Sequence, residues 1–392
     1  MTQIDVAVRR ISFDDGVGGM ERAAQRHILS MCKAGYTVRI FTDVGAMTGH
    51  PPSSVSVIDV PWPAGMSTGG GPTFGCAYLL WVRKLRRALR RAGACDAVLH
   101  LHGATSAVLS DTSLRKRYVT VVNPHGLEAF GAFSLKRMPN RVFLRHMAKK
   151  GRFADAVIAT DASLVDHITR NVECSDTVRV IPNAVDCERL RTLASFKNRP
   201  RSNDVFVVVS IGRLVRNKGY DLLAQALGDR RIQDAVGKSL RWTHFGDGAA
   251  LDSVRAYAND HGVDLRIRSG CSDEEVQSEL SGADLFVQPS RYEGSSLTTL
   301  EAMVHGRRIV ATPVGGIVDK VIDGVTGHLA AEVTVESIAE AILRALGDEE
   351  NSCGRGAMEA VNGRFSSEAE SLLYQHLYKS LAEARLLKRS VS

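Results

Sequence analysis

The chain has 392 residues, enough for two domains that each bury a core. Its 44% hydrophobic and 24% charged residues are the proportions of a folded globular protein and exclude a disordered or fibrous one. The net charge of +7 admits an anionic partner such as a nucleotide, a nucleic acid or a lipid surface, and selects none of them.

In chain order, I-D-V-A-V (4–8) reads as a first strand. A glycine-rich loop follows, then a helix over 21–35 that stops at Gly35. T-V-R-I-F-T (37–42), D-A-V-L-H-L-H (96–102), Y-V-T-V-V-N (118–123) and A-V-I-A-T (156–160) are further strands with helical stretches between them. After the polar stretch S-F-K-N-R-P-R-S-N-D (195–204) the rhythm restarts with strands at 206–211, 240–245, 265–269, 285–290 and 308–312. Strands alternating with helices imply βαβ units and mainly parallel sheets. The expected fold is therefore α/β, with two doubly wound domains, a boundary near 184–204 and a ligand crevice beyond the strand ends. Ser272 and Glu275 are spaced as a capping box for the helix 272–281.

Seven cysteines, at 32, 76, 95, 174, 187, 271 and 353, show no C-x-x-C spacing, so neither a disulfide framework nor a zinc site is expected. That usage fits a reducing cytoplasm. The start M-T-Q-I-D-V-A-V-R-R lacks the apolar core of a signal peptide, and no run of eighteen apolar residues is present to span a membrane.

Five stretches carry candidate chemistry. In D-D-G-V-G-G-M-E (14–21) the glycines lie between a strand and a helix, where backbone N–H groups can approach a phosphate; the alternative is a tight βα turn. In I-G-R-L-V-R-N-K-G (211–219), Arg213 and Lys218 share a strand-to-helix loop that can turn both cations toward a diphosphate; the alternative is two solvated charges. In S-R-Y-E-G-S-S-L-T-T-L-E-A (290–302), Ser295 or Ser296 can cap a helix whose free N–H groups suit a phosphate. Glu293 precedes that helix and can accept from sugar hydroxyls; Glu301 lies inside it and can accept from a ribose diol. The plain alternative is a capping carboxylate and a solvated one. Finally, H-L-H-G (100–103) and V-N-P-H-G-L-E (122–128) end adjacent strands. The H-x-H pair, with no third ligand placed by spacing, reads as strand-end packing, and His125 as the better active-site candidate.

Together these motifs, with V-I-P-N-A-V-D (180–186), F-G-D-G (245–248), S-G-C-S-D-E-E (269–275) and A-T-P-V-G-G (311–316), resemble the family 4 retaining glycosyltransferases of the GT-B fold. The resemblance runs through nearly the whole chain in order and spacing. It implies two Rossmann-like domains facing across a cleft: an acceptor domain (1–185), a linker (186–204), a nucleotide-sugar donor domain (205–365) and a helix (366–392) crossing back to the first domain. It implies that Arg213 and Lys218 grip the donor diphosphate, that Glu293 faces the transferred sugar and that Glu301 faces the ribose. Gly18 and Gly19 match the loop against the phosphate, and His125 the histidine near the anomeric carbon. The stretch from Arg268 to Cys271 falls where the base stacks. Gly294, Ser295, Ser296 and Leu297 complete the donor loop, and here the chain departs from the family: Ser295 stands where a bulky aromatic is usual and Ser296 where a glycine is usual. The donor sugar is therefore not carried over. A methionine after Gly19 is a smaller departure.

The reaction implied is transfer of a sugar from a nucleotide-diphosphate sugar to an acceptor hydroxyl with retention, with no cofactor and no metal, since D-x-D is absent and the cations neutralise the diphosphate. The acceptor would be a carbohydrate, a lipid-linked molecule or a small molecule, and nucleic acid is not expected as a partner. The rivals are a nucleotide-sugar epimerase or phosphorylase on the same fold, and a non-enzymatic basic surface-binding protein acting through V-R-K-L-R-R-A-L-R-R (82–91). The basic stretches 74–91 and 136–152 suggest either peripheral contact with an anionic membrane or ordinary amphipathic helices. A cytoplasmic location, at most peripheral at the inner face of a membrane, is expected.

Overall fold

The computed structural model describes residues 3–14, 19–68, 73–93, 97–124, 138–195 and 204–391. They form two compact units, Met1–Pro182 with Glu370–Ser392, and Asn183–Ala369.

The first unit contains β1 (Gln3–Ala7), α1 (Gly19–Lys33), β2 (Thr37–Thr42), β3 (Val55–Asp59), α2 (Phe74–Arg91), β4 (Val98–His102), α3 (Thr112–Arg117), β5 (Val119–Asn123), α4 (Met138–Ala148), β6 (Ala156–Ala159), α5 (Val165–Val172) and β7 (Val178–Val180). All neighbouring strands are parallel, in the order β3-β2-β1-β4-β5-β6-β7. Strands β4, β5 and β6 are buried along their whole length, because helices cover both faces of a parallel sheet. One face packs Trp81, Leu85 and Tyr118; the other packs Ile4, Ile28 and Met31.

The second unit contains α6 (Cys187–Ser195), β8 (Val205–Ile211), α7 (Tyr220–Leu227), α8 (Arg230–Val236), β9 (Ser239–Phe245), α9 (Leu251–Asp260), β10 (Asp264–Arg268), α10 (Asp273–Ser281), β11 (Leu285–Gln288), α11 (Leu297–Val304), β12 (Arg308–Ala311), β13 (His328–Leu329), α12 (Val335–Gly347) and α13 (Ser352–Arg364). Its sheet is also parallel, ordered β10-β9-β8-β11-β12-β13. The stretch read as a linker carries α6, whose buried Cys187 joins the core around Phe286 and Met303. Ser272 and Glu275 form the expected capping box at the start of α10.

The last helix, α14 (Ser367–Val391), belongs from Glu370 onward to the first unit. Its Tyr374, Leu377 and Tyr378 pack into the core beside β1 and α1. The Tyr378 hydroxyl lies 2.7 Å from His100 Nδ1 and 3.0 Å from His27 Nε2. The rings of His100 and His102 stack 4.7 Å apart, so the H-x-H pair shares one face and His100 serves to hold α14. Helix α2 turns Tyr78, Trp81, Val82 and Leu85 inward, and Trp81 Nε1 donates to Val60 O at 2.7 Å. Its apolar face is thus spent on the core. No helix among the described residues is long and apolar enough to cross a membrane.

Candidate active site

In the second sheet β8 and β11 are neighbours from which the chain departs in opposite directions, toward β9 on one side and β12 on the other. Ligand crevices of open parallel sheets lie at such a switch point, beyond the strand C-termini. The two loops that leave there are the ones bearing Arg213 and Lys218, and Glu293.

The first loop is fixed from beneath. Tyr220 Oη donates to Ile211 O (2.9 Å), and His244 Nε2 lies 3.0 Å from Gly212 O. Burial holds the His244 imidazole down to about pKa 4, so it is neutral and its Nε2–H donates to that carbonyl. Its Nδ1 lies 2.8 Å from Ser210 Oγ, which itself accepts from Trp242 Nε1 at 2.8 Å. The loop then makes a 3₁₀ turn, Arg216–Lys218, and reaches Gly219 at φ +70°. A Cβ at Gly219 would lie 1.9 Å from Pro289 O, so only glycine lets the two loops touch. The N–H groups of Arg291 and Tyr292 both donate to Asn217 O, at 2.8 and 3.1 Å. Arg291 also grips Asp221 with two hydrogen bonds of 2.6 and 2.7 Å.

This stitching brings Lys218 Nζ to 2.6 Å from Glu293 Oε2. The same oxygen accepts from Ser290 Oγ (3.1 Å) and Gln288 Nε2 (3.3 Å). Glu293 Oε1 has no hydrogen bond among the described residues, so the carboxylate is anchored through one oxygen and keeps the other for a ligand.

Beyond Glu293 the chain enters α11. Ser296 is the N-cap; its hydroxyl accepts from Thr299 N (3.3 Å) and Thr299 Oγ1 (2.9 Å). The first N–H groups of a helix have no intrahelical acceptor, and the helix dipole adds positive potential there, so Leu297 and Thr298 open an anion-binding end. The A-T-P-V-G-G loop supports it: Gly316 N donates to Gly294 O at 2.7 Å, and a Cβ at Gly315 (φ +53°) would lie 1.8 Å from Glu293 O. Lys320, fully buried, donates to Ser295 Oγ (3.1 Å) and Gly316 O (3.0 Å).

Glu301 is buried on α11, where Gln277 Nε2 donates to its Oε2 at 3.0 Å and Gln277 Oε1 lies 2.8 Å from His305 Nε2. Burial, then Arg307 and Arg191, press His305 to about pKa 4. Glu301 is thus not a solvated helix glutamate, and no hydrogen bond among the described residues joins it to Glu293. Arg213 is exposed and makes no side-chain hydrogen bond or ion pair among the described residues. Arg268, at the end of β10, pairs with Glu275 (3.0 Å) and lies 5.2 Å over the Phe245 ring; Cys271 follows, half-buried. No side-chain hydrogen bond or ion pair among the described residues joins Arg268 or Cys271 to Lys218 or Glu293. Gly19 opens α1 of the first unit. Gly18 and His125 lie outside the described residues.

Sequence reasoning missed Gln288, Ser290, Gln277 and Lys320. Ser290 opens the S-R-Y-E-G-S-S-L-T-T-L-E-A stretch, and Gln288 lies two residues before it. Lys320, four residues past A-T-P-V-G-G, has only its position after that loop as a signal.

Two parallel Rossmann-like sheets, with the last helix assigned to the first unit, define the GT-B class. Two family models match: "Glycosyltransferase Family 4" over residues 17–189 and "Glycosyl transferases group 1" over 205–348. The chain belongs to the family 4 glycosyltransferases of the GT-B fold. It is 32% identical over 151 residues to glycogen synthase of Pseudomonas aeruginosa, covering 38% of this chain and 28% of that relative. It is 30% identical over 218 residues to the GDP-mannose-dependent alpha-(1-6)-phosphatidylinositol monomannoside mannosyltransferase of Mycolicibacterium smegmatis, covering 53% of each. The chain thus spans from about a quarter to about half the length of these relatives. Among solved structures, sucrose-phosphate synthase of Thermosynechococcus elongatus superposes with a TM-score of 0.77 at 20% identity, covering 98% of this chain and 100% of that one.

Proposed function

We propose that the protein is a retaining glycosyltransferase that moves a sugar from a nucleotide-diphosphate sugar to an acceptor hydroxyl. The observation that carries this reading is the Glu293 carboxylate, anchored by Lys218, Ser290 and Gln288 through Oε2 and open at Oε1, immediately before the capped start of α11. The anchored carboxylate suits a sugar hydroxyl. The helix start, with the Lys218 ammonium held on Glu293 in the loop before it and the exposed Arg213 on the Lys218 loop, suits a diphosphate. Glu301, buried deeper on the same helix, suits a ribose diol.

In this reaction the anomeric C–O bond to the diphosphate breaks while negative charge grows on the leaving phosphate. Preorganised cations and helix N–H groups stabilise that charge, each such donor being worth on the order of 10²–10³ in rate. The acceptor oxygen forms the new bond on the same face, and its proton passes to the leaving phosphate oxygen. Glu293 is not read as a glycosidase-type nucleophile, because that role needs a second catalytic carboxylate about 5 Å away; Glu301 is instead held by Gln277. No metal takes part in the transfer, because Lys218 and Arg213 neutralise the diphosphate.

A thermal-shift screen against UDP-, GDP-, ADP- and dTDP-sugars tests donor binding. The NMR anomeric coupling of the product formed from the stabilising donor tests retention. Stabilisation by none of the four, or an inverted product, would overturn the reading. Release of free nucleoside diphosphate without any acceptor requirement would favour the epimerase or phosphorylase alternative.

A further inference from the structure

A second cluster lies away from the donor loops. Glu293 follows the C-terminal end of β11, whereas Arg308 opens β12 at the opposite edge of the same parallel sheet. Arg308 donates through Nη2 to Asp348 O at 2.9 Å, which places the end of α12 at that opposite edge. Here His328 of β13, Asp348 after α12 and Cys353 in the first turn of α13 converge. One imidazole nitrogen, one carboxylate oxygen and the Cys353 sulfur all lie within 4.8 Å of one another.

The plain reading is that Asp348 caps α13, since it accepts from Ser352 N (2.8 Å), Ser352 Oγ (2.9 Å) and Cys353 N (3.0 Å). That accounts for Asp348 and leaves His328 without a reason. His328 is 9% exposed, and its Nε2 is buried with no hydrogen-bond partner among the described residues. Cys353 is 3% exposed. A buried nitrogen lone pair or N–H with no partner is an uncompensated desolvation, and such groups call for a specific explanation.

We propose that His328, Asp348 and Cys353 form a site for one divalent transition-metal cation of the zinc type, which clamps β13 to α12 and α13. Imidazole nitrogen, thiolate and carboxylate are the donor types zinc takes, with ligand distances of about 2.0–2.3 Å. A tetrahedral ion of that size holds its donors roughly 3.5 Å apart, so separations of at most 4.8 Å need to close by about 1 Å. Three protein ligands leave a fourth position for water. A thiolate and a carboxylate balance a dication, which matters because the neighbouring Arg344 is already paired with Asp323 at 3.1 Å. Burial and the Asp348 carboxylate hold the Cys353 thiol above its ordinary range, so the metal must displace that proton to solvent. The clamp has a structural use: β13 is two residues long and among the described residues pairs only with β12, through Val310–His328 and Ala311–Leu329. The proposal does not depend on the donor reading above.

The test is cobalt and zinc titration of the intact chelator-dialysed protein. One equivalent of cobalt per chain is expected, with a thiolate charge-transfer band that zinc displaces, and a rise in Tm with zinc. Cys353→Ser and His328→Gln should each weaken binding by about tenfold or more, while Cys76→Ser, at an exposed cysteine, should not. Asp348→Asn provides a variant that keeps a cap on α13; it too should bind more weakly while circular dichroism shows a folded chain. Absence of a stoichiometric cobalt–thiolate band would overturn the proposal, as would a band retained by Cys353→Ser.

Discussion

Lys218 Nζ lies 2.6 Å from Glu293 Oε2, joining two loops that are 75 residues apart in sequence. Both side chains are mostly buried, with 18% and 11% of their surface exposed. The contact depends on backbone fit: Gly219 is in van der Waals reach of Pro289 O only because it lacks a Cβ. The cation that serves the diphosphate in the proposed reaction is therefore also the one that aims the carboxylate.

Lys218→Met should lower turnover of the stabilising donor by about 10²–10³-fold. Because Ser290 and Gln288 still hold Glu293 Oε2, the stability loss should stay near 2 kcal/mol. Glu293→Gln should keep most of the fold while lowering turnover. Steady-state kinetics with urea unfolding checks both; turnover near wild type in both variants would refute the site.

Arg213→Ala separates function from packing more cleanly. The side chain is exposed and partnerless among the described residues, so unfolding free energy should change by no more than about 0.5 kcal/mol. Donor turnover should still fall at least tenfold. Equal turnover at equal stability would remove Arg213 from the diphosphate grip.

Gly315→Ala tests the supporting loop. Its φ of +53° and the 1.8 Å approach of a Cβ to Glu293 O leave no room for a methyl group. The loop must move, which should cost roughly 1–3 kcal/mol or more and weaken donor binding by moving the Glu293 backbone. A thermal melt together with donor titration reads both effects.

Stability should fall on acidification below neutrality. His244 and His305 have folded-state values near 4 against 6.5, because burial disfavours their charged forms. Between those values the unfolded chain binds more protons, so each histidine removes up to about 1.4 kcal/mol per pH unit as pH drops from 6.5 toward 4. Buried Glu370 acts in the opposite sense: burial raises it from 4.5 to about 7, so the folded chain holds its proton and loses stability as pH rises through that window. The net slope between 4.5 and 6.5 remains positive. Glu370→Gln should raise stability at pH 7 and steepen the acid loss, and urea midpoints across pH 4.5–7.5 would show it.

Much of the fold was legible from alternation alone. Long apolar strands such as F-V-V-V-S-I are mostly buried in a parallel sheet, and so stand out against the helices around them. β3, β7 and β13 were not anticipated. β7 and β13 are three and two residues long, too short for a pattern, and β3 is a sheet-edge strand whose V-S-V-I-D is mostly half-exposed or exposed. Helix α6 was hidden inside the segment 186–204 that read as linker, because only part of one face is apolar.

The sequence by itself determined the class of protein and the loops that carry its chemistry, since motif residues on strand-to-helix loops keep fixed spacing along the chain. Tertiary structure decided what each residue does there. It placed Lys218 on Glu293 and turned Glu301 to Gln277; it also chose Ser296 over Ser295 as the cap and put the buried Lys320 ammonium against Ser295. It likewise gathered His328, Asp348 and Cys353, which no ligand spacing announces. Apart from the Ser296 cap and the Asp348–Cys353 turn, those contacts join segments 20 or more residues apart, and their partners are fixed by strand order and backbone clearance. Local propensity and periodicity contain neither.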